Sequence, residues 1–130
     1  GEPLSVKQED IHLQGHAMEC RINAEDPAHH FRPCPGVIEA IHLPGGNGVR
    51  IDTAAYNGYE IPPFYDSMIA KVIVHGRTRQ EAIDKMRSTL GELIIDGVTT
   101  NVDFQYEILD NEDFQAGEIT TDFIPMHFNL

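Results

Sequence analysis

The sequence predicts an α+β domain, a largely antiparallel β-sheet followed by two to three C-terminal helices. Three observations carry that class. Apolar and polar side chains alternate from His16 to Asn23, and Asp66 to Val74 is the most apolar stretch of the chain. A helical period then starts behind a capping sequence at Thr78. Strands come first and helices after, with hairpin-like turns between the strands.

Residues 1–13 are expected to be a lead-in segment, the tail of a helix that begins in preceding sequence, and residues 14–130 the domain itself. His16, Met18, Cys20 and Ile22 fall on one face of the first strand, and Ala17, Glu19, Arg21 and Asn23 on the other. Asp26-Pro27 and Pro33-Cys34-Pro35-Gly36 break that strand into a loop. Val37 to Leu43 is β-rich, and Pro44-Gly45-Gly46-Asn47-Gly48 turns the chain into Val49-Arg50-Ile51, which reads as a hairpin. A second turn at Tyr56-Asn57-Gly58-Tyr59 precedes a short strand stopped by Pro62-Pro63.

Met68, Ala70, Val72 and Val74 share one face of the next strand, while Ile69 and Ile73 flank Lys71 on the other. Apolar residues on both faces predict a central strand. Thr78-Arg79-Gln80-Glu81 is a capping box; Ile83, Met86, Leu90 and Ile94 follow at helical spacing, and Gly97 suits the C′ position. Asn101 is placed to cap a second helix through Leu109, and Thr120 to Phe128 suits a short third one.

Composition bounds the function. At 130 residues the chain is one ordinary domain, and no apolar run approaches the roughly eighteen residues of a membrane span, so a soluble domain is expected. A formal net charge of −12 repels a phosphate backbone, which argues against nucleic acid as a partner. Cys20 and Cys34 form neither a CxxC pair nor a disulfide framework, so a reducing cytoplasm is the expected setting. The opening Gly1-Glu2-Pro3-Leu4-Ser5 has no initiator Met and no signal-like segment, and reads as part of a longer, non-secreted protein.

Candidate chemistry is sparse. Phosphate loops need backbone N–H groups converging at a helix start, but a strand follows Gly45-Gly46-Asn47-Gly48. The seven histidines are scattered without HxxxH or HExxH spacing, so no metal site is expected. Cys20 lies on an apolar strand face and Ser67 lacks the glycines of a nucleophile elbow, so both read as structural. Arg21 projects from the polar face between Glu19 and Asn23. It suits a surface ion pair, and equally a fixed guanidinium aimed at an oxyanion. Asp66, behind the stiff Pro62-Pro63-Phe64-Tyr65 approach, suits either the rim of a site or a turn cap.

The same stretches resemble a known family. His16-Ala17-Met18-Glu19-Cys20-Arg21-Ile22-Asn23-Ala24-Glu25-Asp26-Pro27 closely resembles the segment that opens the C-terminal domain of biotin carboxylases. Pro44-Gly45-Gly46-Asn47-Gly48-Val49-Arg50, Pro62-Pro63-Phe64-Tyr65-Asp66-Ser67-Met68-Ile69-Ala70-Lys71 and Asp96-Gly97-Val98-Thr99-Thr100-Asn101 follow in the family's order. The likeness runs from Leu4 to Phe123 and includes pyruvate, propionyl-CoA and related carboxylases; the wording from Ile61 to Ile69 looks more like the acetyl-CoA carboxylase subunit of bacteria.

The resemblance implies a rudiment single hybrid motif type of fold and a part in an ATP-dependent ligase of the ATP-grasp kind. There ATP and bicarbonate give carboxyphosphate, and biotin on a carrier protein is carboxylated, as in the first step of fatty acid synthesis. It places ATP, Mg2+ or Mn2+ and the general base on an upstream ATP-grasp domain, so no cofactor and no catalysis are expected of this chain alone. It gives Arg21 the biotin contact and the stabilisation of the biotin enolate, a role worth about 3–4 kcal/mol by analogy with oxyanion-hole donors. It also implies a cytoplasmic homodimer with Arg50 and Asn47 near the two-fold contact. Relatives often carry an aromatic where Asn47 stands, which puts the strength of that contact in doubt. Two other functions compete: a module that supplies a subunit interface and docks the carrier, and an ATP-grasp ligase acting on another substrate.

Overall fold

The structure, a computed structural model, describes residues 1–129; Leu130, the last residue of the expected domain, lies outside them. Among the described residues, nine strands and four helices follow in order: β1 (His16–Asn23), β2 (Glu25–Asp26), β3 (Arg32–Pro33), β4 (Gly36–Val37), β5 (Ala40–His42), β6 (Val49–Thr53), β7 (Glu60–Ile61), β8 (Met68–Gly76), α1 (Arg79–Glu92), β9 (Ile94–Asp96), α2 (Val102–Asp110), α3 (Glu112–Ala116) and α4 (Phe123–His127). Every pairing among them is antiparallel, so the α+β class holds. Residues 1–13 hold one 3-10 turn, Gln8–Asp10, in place of the expected helix tail.

The largest sheet has the order β1-β8-β6. β8 is its central strand, as the apolar residues on both its faces predict. Cys20 and Ile22 of β1 and Ala70, Val72 and Val74 of β8 turn inward, where α1 covers them with Ala82, Met86 and Leu90. Ile22, Val72, Val74, Ile83 and Met86 are wholly buried. The opposite face of the sheet carries the charged residues.

Two connections differ from expectation. The stretch 37–43 splits at Ile38: β4 pairs with β7 and β5 with β9, so it forms no hairpin with β6. Ile38 is fully buried at the switch, donating to the Tyr59 carbonyl at 2.9 Å, while Glu39 donates to that of Asp96 at 2.8 Å. Pro44 lacks the N–H that would extend a ladder, and the Gly48 carbonyl instead accepts from His75 at 2.8 Å. The glycine turn therefore delivers the chain to β8.

The first helix also stops early, at Glu92, with Leu93 already extended. Ile94 and Ile95, whose branched side chains favour strands, leave it to pair with His42 and Ile41. Gly97 thus closes a strand. Its φ is +98°, and a Cβ there would lie 2.3 Å from the Val37 carbonyl oxygen. Only glycine lets β9 cross so close to β4.

Caps at the helix starts are partly as expected. Thr78 Oγ1 accepts from Glu81 N–H at 3.1 Å, but the Glu81 carboxylate accepts from Arg77 N–H, one residue earlier than a capping box requires. Asn111, unassigned by the sequence reading, caps α3 by accepting from Asp113 and Phe114. The five residues of α3 are too few to show a period.

Candidate functional site

The polar face of the main sheet is built by register. Arg21 of β1 lies opposite Lys71 of β8, which lies opposite Asp52 of β6. Glu19, Ile73 and Arg50 form the neighbouring row. Facing residues of paired strands share a side of the sheet, so two cations stand side by side on an otherwise acidic chain.

The arginines differ in how far their head groups are committed. Arg50 grips Asp52 in a fork, Nε to Oδ1 and Nη2 to Oδ2 at 2.8 Å each, and this hydrogen bonding holds the Asp52 carboxyl below its usual range. Arg79 donates to the carbonyls of Gln115 and Phe114 at 2.7 and 2.6 Å and lies over the Phe114 ring. Arg87 pairs with Asp110. Arg21 has no hydrogen-bond partner of its side chain among the described residues. Its Nε stands 3.8 Å from Glu19 Oε1, outside hydrogen-bond range, and its side chain is 62% exposed.

The backbone beneath Arg21 is tightly held. Register shifts between Ile22 and Asn23, where the ladder to β8 is disturbed. There Asn101 Oδ1 accepts from Asn23 N–H at 2.9 Å, and Asn101 Nδ2 donates to the Arg21 carbonyl at 3.1 Å. Asn101 stands at the start of α2 but makes no side-chain cap, contrary to the sequence reading.

Asp66 is exposed and its Oδ1 accepts from Met68 N–H at 3.1 Å, shaping the turn into β8. Next to it Ser67 accepts from Ala24 N–H through its carbonyl and donates through Oγ to Glu25. This turn is thereby joined to the end of the strand that carries Arg21. Cys20 is 5% exposed, and burial, then the neighbouring Glu19 charge, pushes its thiol up to about 12. It is a packing residue. Among the described residues no group of three or more His, Cys, Asp or Glu is placed to hold a metal, and no helix is long and apolar enough to cross a membrane.

The sequence profile of the family described as biotin carboxylase C-terminal domain matches residues 19–126. The chain belongs to this family. Biotin carboxylase 1 of Bacillus subtilis (strain 168) is 53% identical over 124 residues, which span 95% of this chain and 28% of that protein. A pyruvate carboxylase subunit of Methanothermobacter thermautotrophicus is 54% identical over the same length, covering 95% of this chain and 25% of the relative. The biotin carboxylase C-terminal domain therefore spans about a quarter of the curated relatives it matches.

Solved structures agree. The biotin carboxylase domain dimer of Hydrogenobacter thermophilus 2-oxoglutarate carboxylase, in complex with MgADP, ADP and bicarbonate, superposes with a TM-score of 0.95 at 46% identity. That likeness covers 98% of this chain and 28% of the other. The biotin carboxylase component of a pyruvate carboxylase gives 0.95 at 47% identity, with the same coverage.

Neither Lys71 beside Arg21 nor the Asn101 clamp follows from the sequence pattern alone. Lys71 was legible as a polar-face residue, but its neighbour across the sheet depends on register. The Asn101 contact joins residues about eighty positions apart, which no local pattern reports.

Proposed function

We propose that this domain contributes Arg21 to the carboxylation of biotin, the substrate of the first half-reaction of a biotin-dependent carboxylase. The observation that carries this reading is the guanidinium of Arg21, exposed on a charged sheet face with no hydrogen bond among the described residues and only a loose pairing with Glu19 at 3.8 Å, while Arg50, Arg79 and Arg87 are bound to partners.

The chemistry suits that placement. A ureido N–H is a very weak acid, and when its proton leaves, negative charge spreads onto the carbonyl oxygen. A planar cation with donors aimed at that oxygen stabilises the charge as it develops, by about 3–4 kcal/mol. Lysine would supply charge without the paired donors. Asp66, on the turn joined to the end of β1, stands at the rim of this site.

ATP and a divalent metal, bound by an ATP-grasp region preceding residue 14, supply the activation of bicarbonate. Residues 1–130 alone are therefore inactive. A carrier protein presents the biotin, and Arg50 and Asn47 lie at a homodimer contact. The parent enzyme is an acetyl-CoA carboxylase subunit of the cytoplasm, serving fatty acid synthesis. A second reading makes the domain an interface and docking module of a pyruvate or acyl-CoA carboxylase; the 54% identity to a pyruvate carboxylase subunit bears on that parent enzyme.

The test is Arg21→Ser in the full-length enzyme. Carboxylation of free biotin should slow by about 100- to 1000-fold, the usual effect of losing one oxyanion donor. Bicarbonate-dependent ATP cleavage should fall much less, so the ratio of ATP consumed to biotin carboxylated rises. Normal rates for both would leave Arg21 a surface residue and sink the assignment.

A further inference from the structure

We propose that Asn101 is a positioning residue for Arg21, an inference that rests on the reading of Arg21 given above. An asparagine at a helix start ordinarily accepts from the first free N–H groups of its own helix. Asn101 makes no such bond. Both polar atoms of its side chain are given to β1 instead: Oδ1 accepts from Asn23 N–H at 2.9 Å and Nδ2 donates to the Arg21 carbonyl at 3.1 Å. Its own N–H donates to the Asn23 carbonyl at 3.1 Å, a third bond to the same place.

The place matters. β1 is an edge strand of the main sheet, and its register with β8 slips immediately after Ile22. An edge strand next to a bulge has unpaired backbone groups and freedom to shift. Asn101 occupies that edge as a strand residue would, bracketing Ile22 from Arg21 to Asn23. At 5% exposure it is screened from competing water, and α2 behind it is anchored by the buried Leu109.

No hydrogen bond holds the Arg21 side chain among the described residues, so what the fold fixes is its root: the β1 backbone sets where the side chain starts and the face from which it reaches. Loss of the clamp lets that backbone move. A displacement of about 1 Å costs up to about 100-fold in rate when a group must meet a reacting atom. The expected signature is a defect confined to the biotin half-reaction, which a general loss of stability would not give.

A double-mutant cycle in the full-length carboxylase tests this. Asn101→Ala should lower kcat/KM for free biotin by about 10- to 100-fold and leave bicarbonate-dependent ATP cleavage within about twofold. Added to Arg21→Ser, it should change biotin carboxylation by less than about threefold, because its effect passes through Arg21. Should Asn101→Ala not fold, Asn101→Asp serves in the same cycle: it keeps the acceptor for Asn23 and turns an oxygen toward the Arg21 carbonyl. A further loss in the Arg21→Ser background equal to that in the wild type overturns the inference. So does a parallel fall of both half-reactions. If Arg21→Ser is slow and the cycle is additive, positioning alone fails. If Arg21→Ser is itself normal, the Arg21 reading fails, and this inference with it.

Discussion

Cys20 precedes Arg21 directly, and a thiol beside a proposed site invites suspicion of nucleophilic chemistry. The structure argues for the opposite, and predicts by how much. Burial, with a smaller contribution from Glu19, moves the thiol from 9.0 to about 12. At pH 8 that shift lowers the thiolate fraction by about a thousandfold relative to an ordinary cysteine. A more basic thiolate attacks faster, and a Brønsted slope of about 0.4–0.5 over three units restores about 15- to 30-fold. The net expectation is reaction about 30- to 60-fold slower than an ordinary thiol, before any steric protection. Because Cys20 is only 5% exposed, and held in β1, reagent access slows it further. The assay is a short exposure of the native carboxylase to an aromatic disulfide at pH 8, followed by peptide mapping of the mixed disulfides. Cys34, partly exposed in a loop, should be modified well before Cys20, and the two should react alike in urea. Native modification of Cys20 within tenfold of the Cys34 rate would refute the reasoning and reopen a chemical role for the thiol.

Three further outcomes are expected. Arg50→Glu breaks the fork to Asp52 and places like charges together, so sedimentation of the full-length enzyme should show a loosened dimer with biotin affinity intact; an unchanged dimer counts against the interface assignment. His127 is raised above 6.5 by its hydrogen bond to Asp113 and then by the Phe123 carbonyl. The charged form favours the fold, so this stabilisation is full below 6.5 and fades as pH rises through the raised folded value; melting temperatures should fall across that window, and Asp113→Asn should flatten the trend. Gly97→Ala should cost about 2 kcal/mol or more in urea unfolding, since its φ is +98° and the added Cβ meets backbone at 2.3 Å; a stability unchanged within error would contradict the crossing described.

The fold was legible wherever a local period decided it. Alternation over His16–Asn23 gave β1 to the residue, and the two-sided apolar content of 68–74 gave a central strand. Two of the failures share one cause. Ile94 continues the helical spacing of Ile83, Met86 and Leu90, yet it pairs with His42, far away along the chain. The hairpin expected across Pro44–Gly48 is absent because Ala40–His42 finds Ile94–Asp96 instead of its sequence neighbour. Non-local pairing overrode local propensity in both cases. The site followed the same division. Arg21 and Asp66 stand out as ambiguous residues from strand phase and flanking prolines, and the family resemblance favours one reading for Arg21 alone. What surrounds Arg21, Lys71 across the strand and Asn101 beneath it, exists only through register and long-range contact.

The ion pair of Arg21 with Glu19 is compatible with a substrate role and does not compete with it. The two residues sit two apart on the same face of one strand, with side chains 62% and 41% exposed and 3.8 Å between nearest atoms. An exposed pair of this kind contributes at most about 1 kcal/mol, because water and salt screen both charges. An anion arriving with a developing charge displaces such a contact at little cost. The Arg50–Asp52 pair is different: two parallel hydrogen bonds at 2.8 Å commit the Nε–Nη2 edge of the guanidinium, and the carboxylate beside it offsets its charge. Lys71 stands on β8, between the two arginine-bearing strands, with Asp52 on one side and Arg21 on the other. The face carries Arg21, Lys71 and Arg50 against Glu19 and Asp52, three cations to two carboxylates, so one positive charge is left over on it. On a chain of net charge −12, that is where an incoming anion would be drawn.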